Sequence, residues 1–294
     1  MILVVGDLVT DVLVEHDGPI QAGSDTDAAI RVAGGGQAAN TAAWLARAGR
    51  EVTLVAAVGD DQPGRDRVAE LTAAGVRCAV EVLPGIATGS VVVLTGAHER
   101  TMITDRGASL RIGPDHVTAV VSGTPAAVHL HLSGYPLLHA GSRPAGLAAL
   151  TAAAGRGITV SIDAASAAPL RAAGAGDFLA WVRGTDLLLC NADEADVLAG
   201  PGTAAEQAGR LTAHVRNVVV KRGAAGAVWA GPDGVYAVAG DPMPVTDPTG
   251  AGDAFAAGLL QAWCAGAGPE TALRAGAESG AEAVARIGAR PPAR

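Results

Sequence analysis

Short apolar runs recur along the chain at intervals that leave room for one helix between them. Each run is almost continuous in Val, Ile and Leu, which is typical of strands covered on both faces of a parallel sheet. The predicted buried strands are 2–5, 52–55, 128–132, 158–162, 187–189 and 218–220.

The stretches between these runs are rich in Ala and carry apolar residues at helical spacing. They predict helices over 39–48, 65–74, 144–154, 192–198 and 204–215. Gly49, Gly75, Gly155 and Gly200 stand where C-caps of four of these helices belong. The alternation of strands and helices predicts an α/β fold with helices on both faces of a mostly parallel sheet.

Two stretches, at about 12–33 and 88–106, interrupt this alternation and favour β structure. In the second, segments 90–94 and 101–104 flank a plausible hairpin turn at 96–99. The two stretches are expected either to form surface hairpins or to pair into a small sheet outside the main domain. No internal repeat or long linker divides the chain, so we predict one domain over 1–294. Pro291 and Pro292 predict a frayed end.

Composition excludes several classes of function. The 294 residues carry a formal net charge of −8 and only 3% aromatic residues, which argues against binding nucleic acid. No apolar run reaches the roughly 18 residues of a membrane span, and the start predicts a buried strand, not a signal peptide. The three cysteines are far apart and fit no metal spacing, so we expect a reduced, cytoplasmic protein.

The segment Asp247-Pro-Thr-Gly-Ala-Gly-Asp253 carries the strongest chemical signal. Pro248 disfavours helix at Asp247, while Gly250 and Gly252 permit a tight turn with exposed N–H groups. The apolar spacing that follows predicts a helix from near Gly252, and such an N-terminus binds anions. Asp253 in the first turn of this helix is then either a base beside a bound phosphoryl group or an acidic residue that only interacts with the helix dipole.

Further features of the sequence add to or limit this signal. A second Gly-Ala-Gly-Asp, at 174–177, lacks the preceding Asp-x-Thr and is interpreted as coincidence. The run Gly34–Gly36 lets a ligand approach the backbone, and Asn40 follows one turn into a predicted helix. Asp7 and Asp11 follow the first strand, at the sheet edge where open α/β sheets bind ligands, or are solvated turn residues. The dinucleotide and Walker fingerprints are absent.

The order of these motifs resembles that in the ribokinase-like (PfkB) family of sugar and nucleoside kinases, and the resemblance covers essentially the whole chain. Other motifs of that family are matched by Val58-Gly-Asp-Asp-Gln-Pro-Gly64, Asn191-Ala-Asp-Glu194 and Gly223-Ala-Ala-Gly226. The resemblance implies a ribokinase-like three-layer α/β sandwich, whose two β insertions form a small lid. It implies ATP and Mg²⁺, phosphorylation of a hydroxymethyl group of a sugar or nucleoside, and a homodimer formed through the lid.

The same resemblance implies a role for each candidate residue. Asp253 is expected to act as the base, and the transferring phosphoryl group is expected to be held by Gly250, Ala251 and Gly252. Acceptor hydroxyls are expected to bind Asp7, Asp11, Gly35, Gly36 and Asn40. The nucleotide is expected to border Asn191, Lys221, Gly223, Gly226, Ala277 and Gly280. Glu194 is expected to organise Mg²⁺. K⁺ is expected at Asp247 and Thr249, unless Asp247 only caps the turn.

Three positions depart from the family or leave alternatives open. Gln37 stands where ribokinases carry Lys, which argues against ribose itself as substrate. Lys221 stands where many relatives have Thr and could instead face a phosphate. Arg106 is either a solvated lid residue or reaches the acceptor, which would suit an acidic or phosphorylated substrate. A sugar acid kinase, a pseudouridine-like nucleoside kinase and a non-catalytic binding protein remain alternatives.

Overall fold

The computed structural model describes residues 1–95, 100–240 and 243–292. The strands are β1 (Ile2–Val5), β2 (Val9–His16), β3 (Ala28–Gly35), β4 (Val52–Gly59), β5 (Arg77–Leu83), β6 (Thr88–Thr95), β7 (Arg100–Gly107), β8 (His129–Ser133), β9 (Thr159–Asp163), β10 (Leu187–Asn191), β11 (Asn217–Lys221), β12 (Ala227–Gly231) and β13 (Gly234–Val238). The helices are α1 (Gln37–Arg47), α2 (Gln62–Ala73), α3 (Pro114–Ser122), α4 (Tyr135–Leu138), α5 (Arg143–Arg156), α6 (Ala167–Ala173), α7 (Ala175–Trp181), α8 (Ala192–Ala199), α9 (Ala204–Leu211), α10 (Ala251–Trp263) and α11 (Pro269–Val284).

The larger sheet has nine strands in the order β13-β12-β11-β10-β9-β8-β1-β4-β5. Neighbours from β11 to β5 are parallel, whereas β12 and β13 are antiparallel to their neighbours at one edge. Side chains of β1 alternate between two cores, with Leu3 and Val5 in one and Ile2 and Val4 in the other. The predicted α/β fold, with a mostly parallel sheet covered on both faces, is confirmed.

The helices form one layer on each face of this sheet. Helices α3 to α9 contribute buried residues to the core that contains Leu3, and α1, α2, α10 and α11 to the core that contains Val4. Helices α10 and α11 pack on each other, and α10 also packs on α1. No helix in the described part of the chain is long and apolar enough to cross a membrane.

The two stretches that interrupt the alternation pair into one small sheet with the order β3-β2-β6-β7. A parallel pairing of β2 with β6 joins the two stretches, and antiparallel pairings add β3 and β7. The hairpin turn expected at 96–99 lies outside the described residues. Leu13, Val91 and Val93 are buried on one face of this sheet, and the opposite face is more exposed.

Some expected boundaries are wrong. Gly155 does not cap α5 but lies within it, and the helix ends instead at Gly157, whose φ of +63° is the left-handed conformation that glycine adopts without strain. Helix α9 ends at Leu211, before the expected boundary at 215. The antiparallel strands β12 and β13 were not predicted, although both consist mainly of apolar residues, and β13 is the largely exposed edge strand of the sheet.

Polar side chains also run through the interior of β8 and β9. Ser161 Oγ lies 2.7 Å from Nε2 of His129 and 2.8 Å from Nδ1 of His131. Burial lowers the pKa of His129 to about 3 and that of His131 to about 4, so both are neutral at pH 7. This neutral hydrogen-bonded row leads towards the carboxyl ends of the two strands, where Ser133 and Asp163 lie.

Candidate active site

Polar residues collect where the central strands end. Because β1 and β8 to β11 are parallel, their carboxyl ends meet at one edge of the sheet, as is usual for ligand sites in open α/β folds. The residues that this edge presents are Asp7 just after β1, Ser133 on β8, Asp163 on β9, Asn191 on β10 and Lys221 on β11.

The glycine turn expected to bind a phosphoryl group lies immediately before α10. Gly250 has a φ of +77°, and a Cβ there would lie 2.6 Å from the Cα of Ala289, so only glycine fits this position without strain. The helix begins at Ala251, as expected within one residue, and no side chain caps its N-terminus. The N–H of Ala251 donates to the carbonyl of Pro248 at 3.3 Å, and the N–H of Gly252 at the start of the helix is suited to bind an anion.

Asp247 holds this turn in place. Its Oδ1 accepts a hydrogen bond from the backbone N–H of Thr249 at 2.8 Å, and its Oδ2 accepts one from the N–H of Gly288 at 2.9 Å. The carboxylate thus caps the turn, as one of the two alternatives proposed, and also ties it to the segment after α11.

Asp253 lies in the first turn of α10 and faces α1. The side-chain amide of Asn40 donates a hydrogen bond of 2.8 Å to Oδ2 of Asp253. Burial raises the pKa of Asp253 to about 8, with contributions from the negative charges of Asp163 and Asp7, against the opposing effects of Asn40 and Lys221. A carboxylate with this proton affinity is suited to accept a proton near neutral pH.

The acceptor residues expected near Asp7 do converge. Asp7 Oδ1 accepts a hydrogen bond from the N–H of Ala38 at 3.2 Å, and its Oδ2 lies 3.4 Å from Nη1 of Arg106. The Arg106 guanidinium also stacks over the ring of Tyr135 at 3.5 Å. With its side chain only 10% exposed, Arg106 is part of the site and is not a solvated residue of the small sheet.

The glycine loop before α1 completes this side. The Asp11 carboxylate lies so close to Gly35 that a Cβ there would be 2.0 Å from its Oδ1. Gly36 has a φ of +100° and forms the N-cap position of α1, directly against the backbone carbonyl of Asp7. The loop therefore brings Asp7 and Asp11 to the same end of α1 as Asn40.

The residues predicted for the nucleotide and for Mg²⁺ follow β10. Asn191 and Glu194 form a capping box at the start of α8, in which each side chain accepts a hydrogen bond from the other residue's backbone N–H. Burial raises the pKa of Glu194, nearby Asp163 adds to this shift, and Lys221 opposes it. Both carboxylate oxygens of Glu194 accept hydrogen bonds from Asn191, one from its backbone N–H and one from its side-chain amide, and each oxygen keeps a second lone pair.

The other predicted nucleotide residues lie on two elements. Gly223 and Gly226, with φ of +54° and +86°, bracket a 3-10 turn between β11 and β12. Ala277 and Gly280 lie on α11, and a Cβ on Gly280 would be 3.4 Å from the carbonyl oxygen of Ala251. Gly280 therefore faces the start of α10 at ordinary van der Waals distance.

No group of three or more His, Cys, Asp or Glu side chains in the described ranges gathers closely enough to hold a metal ion. Glu194, predicted for Mg²⁺, lies in the first turn of α8, and Asp247, predicted for K⁺, lies before α10. Mg²⁺ near Glu194 would need further oxygen ligands from phosphate and water, which is the usual coordination of Mg²⁺ beside nucleotides.

Sequence reasoning missed two residues of the site. Asp163 accepts hydrogen bonds from Nε2 of Gln37 at 2.9 Å and from Nζ of Lys221 at 2.6 Å. It directly follows the apolar run of β9, and the rule that selected Asp7 after β1 could have found it. Arg290 donates to the carbonyl of Gly35 at 3.1 Å.

The residues just before Pro291 are held against α1. Arg290 Nε lies 3.4 Å from Oδ1 of Asn40, and the indole N–H of Trp44 donates to the carbonyl of Ala289 at 3.0 Å. Two helix α1 side chains thus hold this segment against the site. No local pattern signals this contact, because its two sides are far apart in the sequence.

Comparisons with known proteins identify the family of the chain. The model of the pfkB family of carbohydrate kinases matches residues 1–294. The chain is 32% identical over 278 residues to an ATP-dependent ribose-1-phosphate kinase of Halopiger xanaduensis, covering 91% of this chain and 86% of that protein. It is 32% identical over 249 residues to a 2-dehydro-3-deoxygluconokinase of Thermoproteus tenax, covering 81% of this chain and 75% of that protein.

A solved structure shows the same fold. The crystal structure of adenosine kinase from Sinorhizobium meliloti superimposes with a TM-score of 0.89 at 24% identity, covering 99% of this chain and 95% of that one. The fold match covers 99% of this chain, and the family match covers residues 1–294. The chain therefore belongs to the pfkB family of carbohydrate kinases and is a phosphotransferase that acts on an alcohol group.

Proposed function

We propose that this kinase transfers the γ-phosphoryl group of ATP to a primary hydroxyl of a sugar or nucleoside, with Asp253 as general base. The observation that carries the proposal is the Asp253 carboxylate, held by Asn40 one residue beyond the uncapped Gly250–Gly252 turn. Asp253 takes the hydroxyl proton, the oxygen forms a bond to the γ-phosphorus, and the bond from that phosphorus to the ADP oxygen breaks.

The other residues position the two substrates. The acceptor lies against Asp7, Asp11, Gly35, Gly36 and Asn40. The N–H groups of Gly250, Ala251 and Gly252 stabilise the phosphoryl oxygens, because a fixed helix N-terminus needs no rearrangement as charge develops. The nucleotide borders Asn191, Lys221, Gly223, Gly226, Ala277 and Gly280. Mg²⁺, when bound through water near Glu194, neutralises charge on the phosphates.

Replacing Asp253 by Asn should remove the base and leave the fold intact, because the two side chains have nearly the same shape. We expect kcat to fall by about 10²–10⁴-fold, with ATP binding retained. In the unmodified enzyme kcat/KM should rise with pH up to about 8, since the base is active only when deprotonated. Initial rates over a pH series and calorimetric ATP binding measure both effects.

Asp177 supplies a matched control for this substitution. It follows the second Gly-Ala-Gly sequence of the chain but is exposed on α7. Asp177→Asn should therefore keep unmodified kcat and pH dependence. A kcat for Asp253→Asn within tenfold of the unmodified enzyme would show that Asp253 is not the base.

A narrower proposal concerns the charge of the acceptor. Arg106 is held between Asp7 and Tyr135 among the proposed acceptor residues and is mostly buried, so its charge would lie close to a bound acceptor. Both curated relatives are named for acceptors that carry an anionic group. These observations favour a sugar phosphate or a sugar acid over a neutral sugar or a pseudouridine-like nucleoside.

An ATP-depletion assay over sugar phosphates, sugar acids, neutral sugars and nucleosides tests this proposal. Arg106→Gln should lower kcat/KM for the anionic acceptor by about 10–100-fold, the usual worth of a hydrogen bond to a charged group. Arg31→Gln, on an exposed arginine of the small sheet, should have no such effect. If a neutral acceptor is preferred and Arg106→Gln does not alter its use, the anionic-acceptor proposal fails and the kinase assignment stands.

We further propose that K⁺ binds beside the Gly250 turn. The carboxylate of Asp247 draws the turn and the segment at Gly288 together, and both segments carry backbone carbonyls. Oxygen-rich pockets of this kind suit hard cations. The alternative, in which Asp247 only caps the turn, is supported by its bond to Thr249 and needs no ion.

Initial rates in K⁺ and in tetramethylammonium at equal ionic strength distinguish these alternatives. If K⁺ binds, it should raise kcat by ordering the anion site and should leave the acceptor KM nearly unchanged. Equal rates at saturating ATP and acceptor would leave Asp247 with only its capping role.

We also propose that the small sheet acts as a lid and that two copies of the chain pair through it. One row across its outer face consists of Val32, Val12, Val92 and Ile103, which are partners across neighbouring strands. Ile30 extends this surface, and Ile30, Val32 and Ile103 are each more than half exposed. An apolar sheet face of this kind is typical of an interface.

A charged substitution in this row should separate the copies. Val32→Lys should convert a dimer to a monomer in sedimentation velocity, because a buried unpaired charge opposes association. Val235→Lys is the control, since Val235 is similarly exposed but lies on β13 of the larger sheet. A monomeric unmodified protein at micromolar concentration, or a Val32→Lys dimer, would contradict the proposal.

A further inference from the structure

A buried ion pair between Lys221 and Asp163 lies where β11 and β9 end. Lys221 ends β11 and Asp163 ends β9, and their side chains meet across the end of β10, which lies between them. Lys221 Nζ is 2.6 Å from Oδ2 of Asp163, and the two side chains are only 12% and 2% exposed. A buried ion pair is weak evidence for stability, because apolar residues of similar size often serve as well.

The Lys221 ammonium lies against the glycine turn. A Cβ built on Gly252 would be 3.4 Å from Nζ of Lys221, so the ammonium lies beside the residue whose N–H is suited to an anion. The positive charge of Lys221 lowers the pKa values of Asp253 and Glu194, whereas burial raises both. Lys221 thus lies between the base and the predicted metal side of the site.

Three carboxylates keep Lys221 charged. Burial alone would lower the pKa of Lys221, but the negative charges of Asp163, Glu194 and Asp253 outweigh it and raise that pKa above its usual value. An ammonium group has three hydrogen-bond donors, and the bond to Asp163 uses one of them. The other two N–H donors belong to the Lys221 ammonium, which stays protonated throughout the pH range of the reaction.

Asp163 fixes the direction in which this cation points. Its Oδ1 accepts hydrogen bonds from Nε2 of Gln37 at 2.9 Å and from the N–H of Ala165 at 3.0 Å, while its Oδ2 is left for Lys221. Gln37 is in turn the acceptor of a 2.6 Å hydrogen bond from Ser133. The cation is therefore anchored through a network that extends to the acceptor side of the site.

We propose that Lys221 contacts the transferring phosphoryl group and stabilises the charge that develops on its oxygens, and that Asp163 is the residue that positions Lys221. This inference rests on the proposed function. A preorganised cation beside the Gly250–Gly252 turn adds to the stabilisation by the N–H groups because it does not have to move as the phosphoryl group passes. It also offsets the charge of the carboxylates around the incoming phosphates.

The chain has a single lysine, which makes Lys221 directly observable. Protein labelled with ¹³C,¹⁵N-lysine should give one side-chain signal in NMR spectra, and Lys221→Arg should remove it. We expect this signal to shift when Mg·ADP, acceptor and aluminium fluoride, a mimic of the transferring group, are added together. Mg·ADP alone should give a smaller shift. An unchanged signal with the mimic bound would overturn the proposal.

Kinetics of variants give a second test. Lys221→Met should lower kcat by about 10²–10³-fold, the cost of removing one stabilising donor, with little change in the acceptor KM. It should also move the rise of kcat/KM to higher pH, since Lys221 lowers the pKa of Asp253 while Asp163 and Asp7 raise it. Lys221→Arg should recover part of the rate. Arg216→Met, an exposed cation before the other end of β11, is the control.

Asp163→Asn tests the positioning role. It should keep the hydrogen bond from Gln37, shift the lysine signal of the free protein and weaken aluminium fluoride binding. If Lys221→Met keeps the kcat and pH dependence of the unmodified enzyme, the inference about Lys221 is overturned and the proposed function stands. The proposed function itself fails if Asp253→Asn remains active. If Lys221→Met does not fold, the NMR titration of the unmodified protein decides.

Discussion

The site depends on the hydrogen bond between Asn40 and Asp253. It joins the first turns of α1 and α10, two helices that begin at glycine loops and pack against each other on one face of the sheet. In the proposed mechanism each loop serves a different substrate, and this bond would then fix the distance between the acceptor side and the phosphoryl side. Because an amide cannot change charge, it restrains the Asp253 carboxylate without supplying a proton.

The surrounding segments reinforce this arrangement. Arg290 holds the oxygen of Asn40, and Asp247 holds the segment that carries Arg290. Glu70 on α2 accepts a further bond from Arg290 at 3.1 Å. The loop before α1, the turn before α10 and the chain after α11 are therefore linked through charged and polar contacts.

Residues that follow an apolar run or a glycine turn could be predicted from the sequence, because local pattern determines where a parallel strand or a helix ends. Asp7 and Asp253 are of this kind. The environment of Arg106 could not be predicted, because its exposure depends on how the small sheet packs on the larger one. Asn40 and Arg290 are 250 residues apart, and Asp163 and Lys221 are 58 apart, so no local pattern reports either pair.

The parallel pairing of β2 with β6 has a consequence for the order in which the chain folds. Between these two strands lie β3, α1, β4, α2 and β5, most of which belong to the main domain. A pairing between strands so far apart must first overcome the entropy of closing the intervening loop, and this is slow unless the intervening residues are already compact. The small sheet is thus expected to assemble late, on a preformed half of the larger sheet, and catalytic competence to appear after most secondary structure.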